Sequence, residues 1–135
     1  MLEDLKPGMA FELEFEVAES MCPHFDGTLV HPVCATWTLC HHMEVAGRKL
    51  LAPYLAPHEE AVGAHISIDH RAPAVIGSAV RVRAEVTHAT HRRLEATVSA
   101  HAGERLLASG KFVQIILSKE RLAAILDHLG PVSSR

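Results

Sequence analysis

Only one stretch of this chain carries the apolar spacing of a long helix, and whatever else folds must fold around it. From Ala35 to Leu55, the residues Trp37, Cys40, Met43, Ala46, Gly47, Leu50, Leu51, Tyr54 and Leu55 recur at intervals of three and four, the period of an amphipathic helix. The segment ends by Pro57, and Arg48 and Lys49 lie toward its C-terminal end, where the helix dipole favours cations. Gly47 in its middle costs about 1 kcal/mol relative to Ala, which close packing against a sheet would offset.

The remaining apolar runs have period two. Phe11, Leu13, Phe15 and Val17 alternate with Glu12, Glu14 and Glu16, as in a half-buried strand. Residues 22–33 hold Pro23, Asp26-Gly27 and Pro32 without a sustained period and read as a loop, a candidate pocket rim. Strand-like runs follow at 62–71, 79–88, 94–101 and 105–117, the middle two with one wet face each. A short amphipathic helix carrying Leu122, Ile125, Leu126 and Leu129 comes last, with Ser118 as its N-cap. Strands joined by short turns pair antiparallel, and an apolar sheet face needs a cover. The long helix is the only adequate one. The expected class is α+β, a hotdog fold: a curved antiparallel sheet of about five strands wrapped round one long helix, with a short C-terminal helix.

A length of 135 residues fits a single domain, 1–135, with its own core. The net charge is -3 and the 13 Lys and Arg are scattered, which argues against a nucleic-acid partner. No apolar run approaches a membrane span, and the acidic start Met1-Leu2-Glu3-Asp4 lacks the order of a secretory signal. Cys22, Cys34 and Cys40 form no CxxC pair, which suits a reducing, cytoplasmic setting.

Eleven histidines raise the question of a metal site, but the spacing argues against one. His41 and His42 are adjacent and point apart on a helix, and no HExxH or zinc-type cluster exists. No metal or cofactor is expected. His70 stands out by phase, because strict alternation puts it on the apolar face of Val62, Ala64, Ile66 and Ile68. It is either a core histidine bonded to a carbonyl or a base. Glu44 lies mid-helix and is either a solvated side chain or, facing the sheet, a partner for His70. Thr36 either caps the helix or acts on a substrate carbonyl.

Three segments resemble the fluoroacetyl-coenzyme A thioesterase family of hotdog proteins: Thr36-Trp37-Thr38-Leu39-Cys40-His41-His42-Met43-Glu44, Leu51-Ala52-Pro53-Tyr54-Leu55-Ala56-Pro57 and Gly63-Ala64-His65-Ile66-Ser67-Ile68-Asp69-His70. The spacings from Thr36 to Glu44 and from Glu44 to His70 match that family's catalytic Thr, Glu and His, and the likeness continues through Arg92-Arg93-Leu94 and Val98-Ser99-Ala100-His101. The resemblance implies hydrolysis of an acyl-coenzyme A thioester near the interface of a homodimer or dimer of dimers. It assigns Glu44 to water activation or an acyl intermediate, His70 to proton transfer, Thr36 to positioning or attack, and Gly63 to a backbone N–H near the thioester carbonyl. Eight residues of helix separate Thr36 and Glu44 by about 12 Å along the axis, so the two do not bond directly within a regular helix.

The chain departs from the family in the loop before the helix, where members specialised for fluoroacetyl groups carry phenylalanines and this sequence has Gly27 and Val30. Val30, Phe25 and Trp37 are the residues left to wall the acyl end, which implies another short acyl group. A non-catalytic acyl-coenzyme A binding module is the alternative. A hotdog hydratase is a further one, but Asp69 and His70 are strand neighbours on opposite faces.

Overall fold

The computed structural model describes residues 1–133. Its elements are β1 (Ala10–Glu16), β2 (His24–Phe25), β3 (Thr28–Leu29), α1 (Thr36–Leu51) continued by a 3₁₀ turn (Ala52–Tyr54), β4 (Glu59–His70), β5 (Ala79–Ala89), β6 (Arg93–Ala102), β7 (Arg105–Ser118) and α2 (Lys119–Leu129). Five strands form one antiparallel sheet in the order β1-β5-β6-β7-β4. In sequence, α1 carries the chain from β1 at one edge to β4 at the other, so it crosses the sheet face. This is the expected hotdog arrangement. The loop at 22–33 contains the small hairpin β2–β3, which the aperiodic sequence did not announce.

The core lies between α1 and the sheet. Leu39, Met43, Ala46, Leu50 and Leu51 of α1 pack with Val80, Val82, Ala84 and Val86 of β5 and with Leu94, Ala96, Val98 and Ala100 of β6. A side chain of this kind, fully buried, contributes about 1.5–3 kcal/mol. The alternation read in β5 and β6 is the alternation that is buried. Ser118 caps α2 by accepting a hydrogen bond from the Arg121 N–H at 3.0 Å.

The helix approaches the sheet closely at Gly47. A Cβ there would collide with the Phe112 ring, meeting Cε2 at 2.7 Å, and the buried Gln114 side chain donates from Nε2 to the Gly47 carbonyl at 3.0 Å. The absent side chain lets the helix backbone rest against the edge of an aromatic ring and bond to the sheet at the same point.

In β4 the register against β7 shifts between Gly63 and His65, a bulge that absorbs one extra residue. Strict alternation had put Val62 and Ala64 with His70. With the bulge, the inner face is Ala61, Gly63, Ile66, Ile68 and His70, opposite Ile116, Gln114, Phe112, Gly110 and Ala108. Val62 is 37 % exposed instead. Among the described residues the outer edge of β4 has no partner strand.

Gly47→Ala tests the helix contact, because helix propensity alone would stabilise by about 1 kcal/mol while overpacking costs about 1–3 kcal/mol. Urea unfolding is expected to show net destabilisation. Phe112→Leu in the Gly47→Ala background is expected to recover part of it, a coupling that a double-mutant cycle reads directly.

Candidate active site

The start of α1 is anchored on three sides. The Ala35 N–H donates to the Met21 carbonyl at 2.9 Å, the Cys34 N–H to the Ala74 carbonyl at 2.8 Å, and the buried Thr38 hydroxyl to the Met21 carbonyl at 2.9 Å. Thr38 is a positioning residue that the sequence reading missed. Its signal was a second hydroxyl, two residues after Thr36, on a turn that must bury one side. The end of β4 is fixed by the Arg71 N–H donating to the Leu107 carbonyl at 2.7 Å.

Between these anchors Thr36 Oγ1 lies 2.8 Å from His70 Nδ1. The N-cap is Ala35, with no side-chain cap bond, so the Thr36 hydroxyl is not spent on capping. His70 is half-buried on the inner face, and its ring nitrogen meets this hydroxyl in place of a backbone carbonyl. The pair sits at the N-terminus of α1, where the helix dipole lowers the energy of developing negative charge.

Glu44 is exposed two turns along α1. Among the described residues no hydrogen bond or ion pair engages its carboxylate, so the partnership with His70 that a sheet-facing Glu44 would offer is not formed within the chain. Thr36, Cys40, Glu44 and Arg48 follow at intervals of four and form one stripe of the helix. That stripe borders β4 at both ends. Thr36 meets His70 at one end, while Arg48 pairs with Glu60 at 2.7 Å and donates to the Ala61 carbonyl at 3.4 Å at the other. The Ala61 N–H, and then the Arg48 guanidinium, hold the Glu60 carboxyl below its usual range. The helix therefore runs antiparallel to β4. Gly63, at the bulge, is six steps of the β7 ladder from His70, Gln114 against Ala108, about 20 Å, too far for both to touch one small group inside one chain.

Phe25 and Trp37 meet edge to face with ring centroids 5.7 Å apart and are 59 % and 51 % exposed. The β2–β3 turn that presents Phe25 runs through Asp26 at φ 52° and Gly27 at φ 78°. Val30, also exposed, follows on the same loop. Of the three residues expected to wall the acyl end, Phe25 and Trp37 are thus brought together on the surface, while Val30 is placed only by its loop.

The cysteine thiols are held protonated. Burial pushes the Cys34 thiol up to about 11, with Cys22 adding to the effect, and burial followed by the Glu44 carboxylate raises Cys40. Cys22 is raised by burial and then by Glu19. A thiol held protonated is a poor nucleophile. Among the described residues no group of three His, Cys, Asp or Glu is placed to hold a metal ion, and no helix is long and apolar enough to cross a membrane.

Comparison with known proteins places the chain among thioesterases. A fluoroacetyl-CoA thioesterase of Streptantibioticus cattleyicolor is 36% identical over 92 residues, 68% of this chain and 66% of that protein, so the match spans just under two-thirds of the relative's length. A Thermus thermophilus hypothetical protein of the thioesterase superfamily superposes with a TM-score of 0.87 at 34% identity, covering 93% of both chains. A variant of the fluoroacetyl-CoA thioesterase FlK, in complex with acetyl-CoA, superposes with a TM-score of 0.83 at 28% identity, covering 94% of this chain and 100% of that one. Residues 17–120 match the family described as fluoroacetyl-CoA-specific thioesterase, and the chain belongs to this family of thioester hydrolases.

Proposed function

We propose that residues 1–135 act as one domain that hydrolyses a short-chain acyl-coenzyme A thioester to the free acid and coenzyme A. The observation that carries the reading is the 2.8 Å contact between Thr36 and His70 beside an exposed apolar rim. With the hydroxyl donating to Nδ1, His70 accepts the Thr36 proton as the oxygen attacks the thioester carbonyl carbon, then returns a proton to the departing thiolate. Glu44 activates the water that completes hydrolysis, and the Gly63 N–H stabilises the oxyanion. The three cysteines are free thiols, which supports a cytoplasmic setting.

These roles require two copies of the chain. Gly63 is too far from His70 to serve it in one chain, yet β4 is an unpaired edge strand of the kind that joins subunits. Antiparallel pairing of two β4 edges about a two-fold axis at Ser67 sets Ile66 opposite Ile68 and, with the extra residue of the bulge counted, Gly63 of one copy opposite His70 of the other. Glu44 belongs with Gly63, because it lies one turn before Arg48, whose guanidinium reaches Ala61. One turn moves it about 6 Å, or roughly two strand residues, to the level of Gly63. Each site then combines Thr36 and His70 of one copy with Glu44 and Gly63 of its partner.

Thiol release from a panel of acyl-coenzyme A esters tests the activity, and binding without release would favour a non-catalytic module. Glu44→Gln and His70→Ala are each expected to lower kcat by roughly 10²-fold or more, and Thr36→Ser to retain more activity than Thr36→Ala. Full activity in Glu44→Gln would refute the mechanism.

Sedimentation is expected to show a dimer or a dimer of dimers, and a 14.7 kDa monomer at micromolar concentration would exclude the shared site. Mixing Thr36→Ala with Glu44→Gln protein is expected to restore about one quarter of wild-type activity, because half of randomly mixed dimers carry one intact site out of two. No recovery, with subunit exchange demonstrated, would place both groups in one chain.

Without phenylalanines at 27 and 30, discrimination among short acyl groups is expected to be graded, since a methylene changes it by only about 1–3 kcal/mol. The check is kcat/KM for the fluoroacetyl and acetyl esters, each referred to its uncatalysed hydrolysis. A preference beyond about 10³-fold, more than about 4 kcal/mol, would show that another element recognises fluorine.

A further inference from the structure

The open edge of β4 limits how a second copy of the chain can pair with it. Backbone groups along an antiparallel strand point alternately to one side and the other. The Lys111 N–H donates to the Ser67 hydroxyl at 3.1 Å and the Arg71 N–H to the Leu107 carbonyl at 2.7 Å, so Ser67, Asp69 and Arg71 face β7. Ile66 and Ile68 therefore present their backbone N–H and C=O to the open edge. In an antiparallel pair, residues that face the partner strand stand opposite one another. A two-fold axis then falls on a residue and never between two, and Ile66, Ser67 and Ile68 are the candidates near the middle of this stretch.

Side chains decide among the three. His65, Ser67 and Asp69 are exposed on the outer face of the sheet, while Ile66, Ile68 and His70 are half-buried on the inner face. An axis at Ser67 sets His65 of one copy opposite Asp69 of the other, twice by symmetry, with Ser67 against Ser67 between the two pairs. An axis at Ile66 would set His65 opposite Ser67, and one at Ile68 would set it opposite Arg71, so neither matches charge. Asp69 is open to such a partner. Its ion pair within the chain, with Arg71, is 4.0 Å long, and its side chain is 78 % exposed. Among the described residues the His65 imidazole has no hydrogen-bond or ion-pair partner. Side chains directly opposed across two strands have Cβ atoms about 4.5–5.5 Å apart, within reach of an imidazole N–H and a carboxylate. We infer that His65 and Asp69 set the register between two copies of the chain, the imidazole of each donating to the carboxylate of the other on either side of a Ser67 contact. This rests on the two-copy site proposed above, and the axis that matches charge is the one that brings Gly63 of one copy to His70 of the other.

Cross-linking reads the axis. Two Ser67 Cα atoms facing each other on it are about 4.5 Å apart, inside the range of a disulfide. Ser67→Cys protein treated with diamide, a thiol oxidant, is expected to run as a covalent dimer on a non-reducing gel. Wild type, with its native cysteines, and Asp69→Cys, whose symmetry mates lie four strand positions or about 13 Å apart, are expected to run as monomers. Charge reversal reads the pair. His65→Asp protein carries acid at both positions and Asp69→Lys protein carries base at both, so each alone is expected to dissociate with a dimer Kd at least tenfold above wild type. An equimolar mixture, in which both pairs are matched, is expected to form a mixed dimer with a Kd within about threefold of wild type. A wild-type dimer in which Ser67→Cys does not cross-link, or a mixture no tighter than its parents, would overturn the assignment. A monomeric wild type would overturn both the pair and the shared site. None of these readouts needs a substrate. If the cross-link and the mixed dimer form while wild type releases thiol from no ester, the thioesterase reading fails and the interface stands; if thiol is released and neither forms, the interface fails and hydrolysis stands.

Discussion

The contact between the Gly47 backbone, the Phe112 ring and the Gln114 amide sets the depth at which the long helix lies on the sheet. A helix normally stands off a sheet by the thickness of its side chains. Here one turn is seated directly against the edge of an aromatic ring and tied by a buried hydrogen bond. The remaining helix positions take their height from that seat. Leu39, Met43, Leu50 and Leu51 fill the space that remains, and the first turn comes low enough for a short threonine side chain to reach a histidine on the far edge strand. A helix held higher would leave that hydroxyl out of reach.

Polarity along the helix follows from the same seating. With its start beside His70 and its end beside Glu60 and Ala61, α1 lies antiparallel to β4, and the stripe from Thr36 to Arg48 meets β4 at both ends. In the proposed dimer, groups that look scattered in one chain, a hydroxyl–imidazole pair at one end of the stripe and a carboxylate two turns along it, become complementary under a two-fold rotation. β4 is an edge strand of the sheet, a surface on which such a rotation can act.

Much of this was legible in the residues. The three-and-four spacing of α1 and the alternation of β1, β5 and β6 report burial on one face, which is a local property of sequence. The function of Gly47 was legible too, as an expensive residue in a good helix. Less was legible where the information is not local. The meeting of Thr36 and His70, thirty-four residues apart, depends on β4 lying at the sheet edge, and strand order is set by packing between distant segments. The hairpin at 24–29 is only two residues a side, too short for a period. Glu44 could not be placed from its neighbours because its proposed partners lie on another copy of the chain.

The phase of β4 was misread for a more instructive reason. Gly63 and His70 are separated by an odd number of residues, and in a regular strand they would face opposite ways. The register shift at Ala64 changes that parity and turns both toward the helix. The extra residue therefore works as a half-period inserted in a two-fold repeat. Removing it would do more than shorten the strand by one position: it would turn one half of β4 inside out relative to the other, carrying Ile66, Ile68 and His70 to the solvent side or Ala61 and Gly63 away from the helix. Length variation at this point is thus a matter of odd and even, and insertions or deletions here should be tolerated only in pairs.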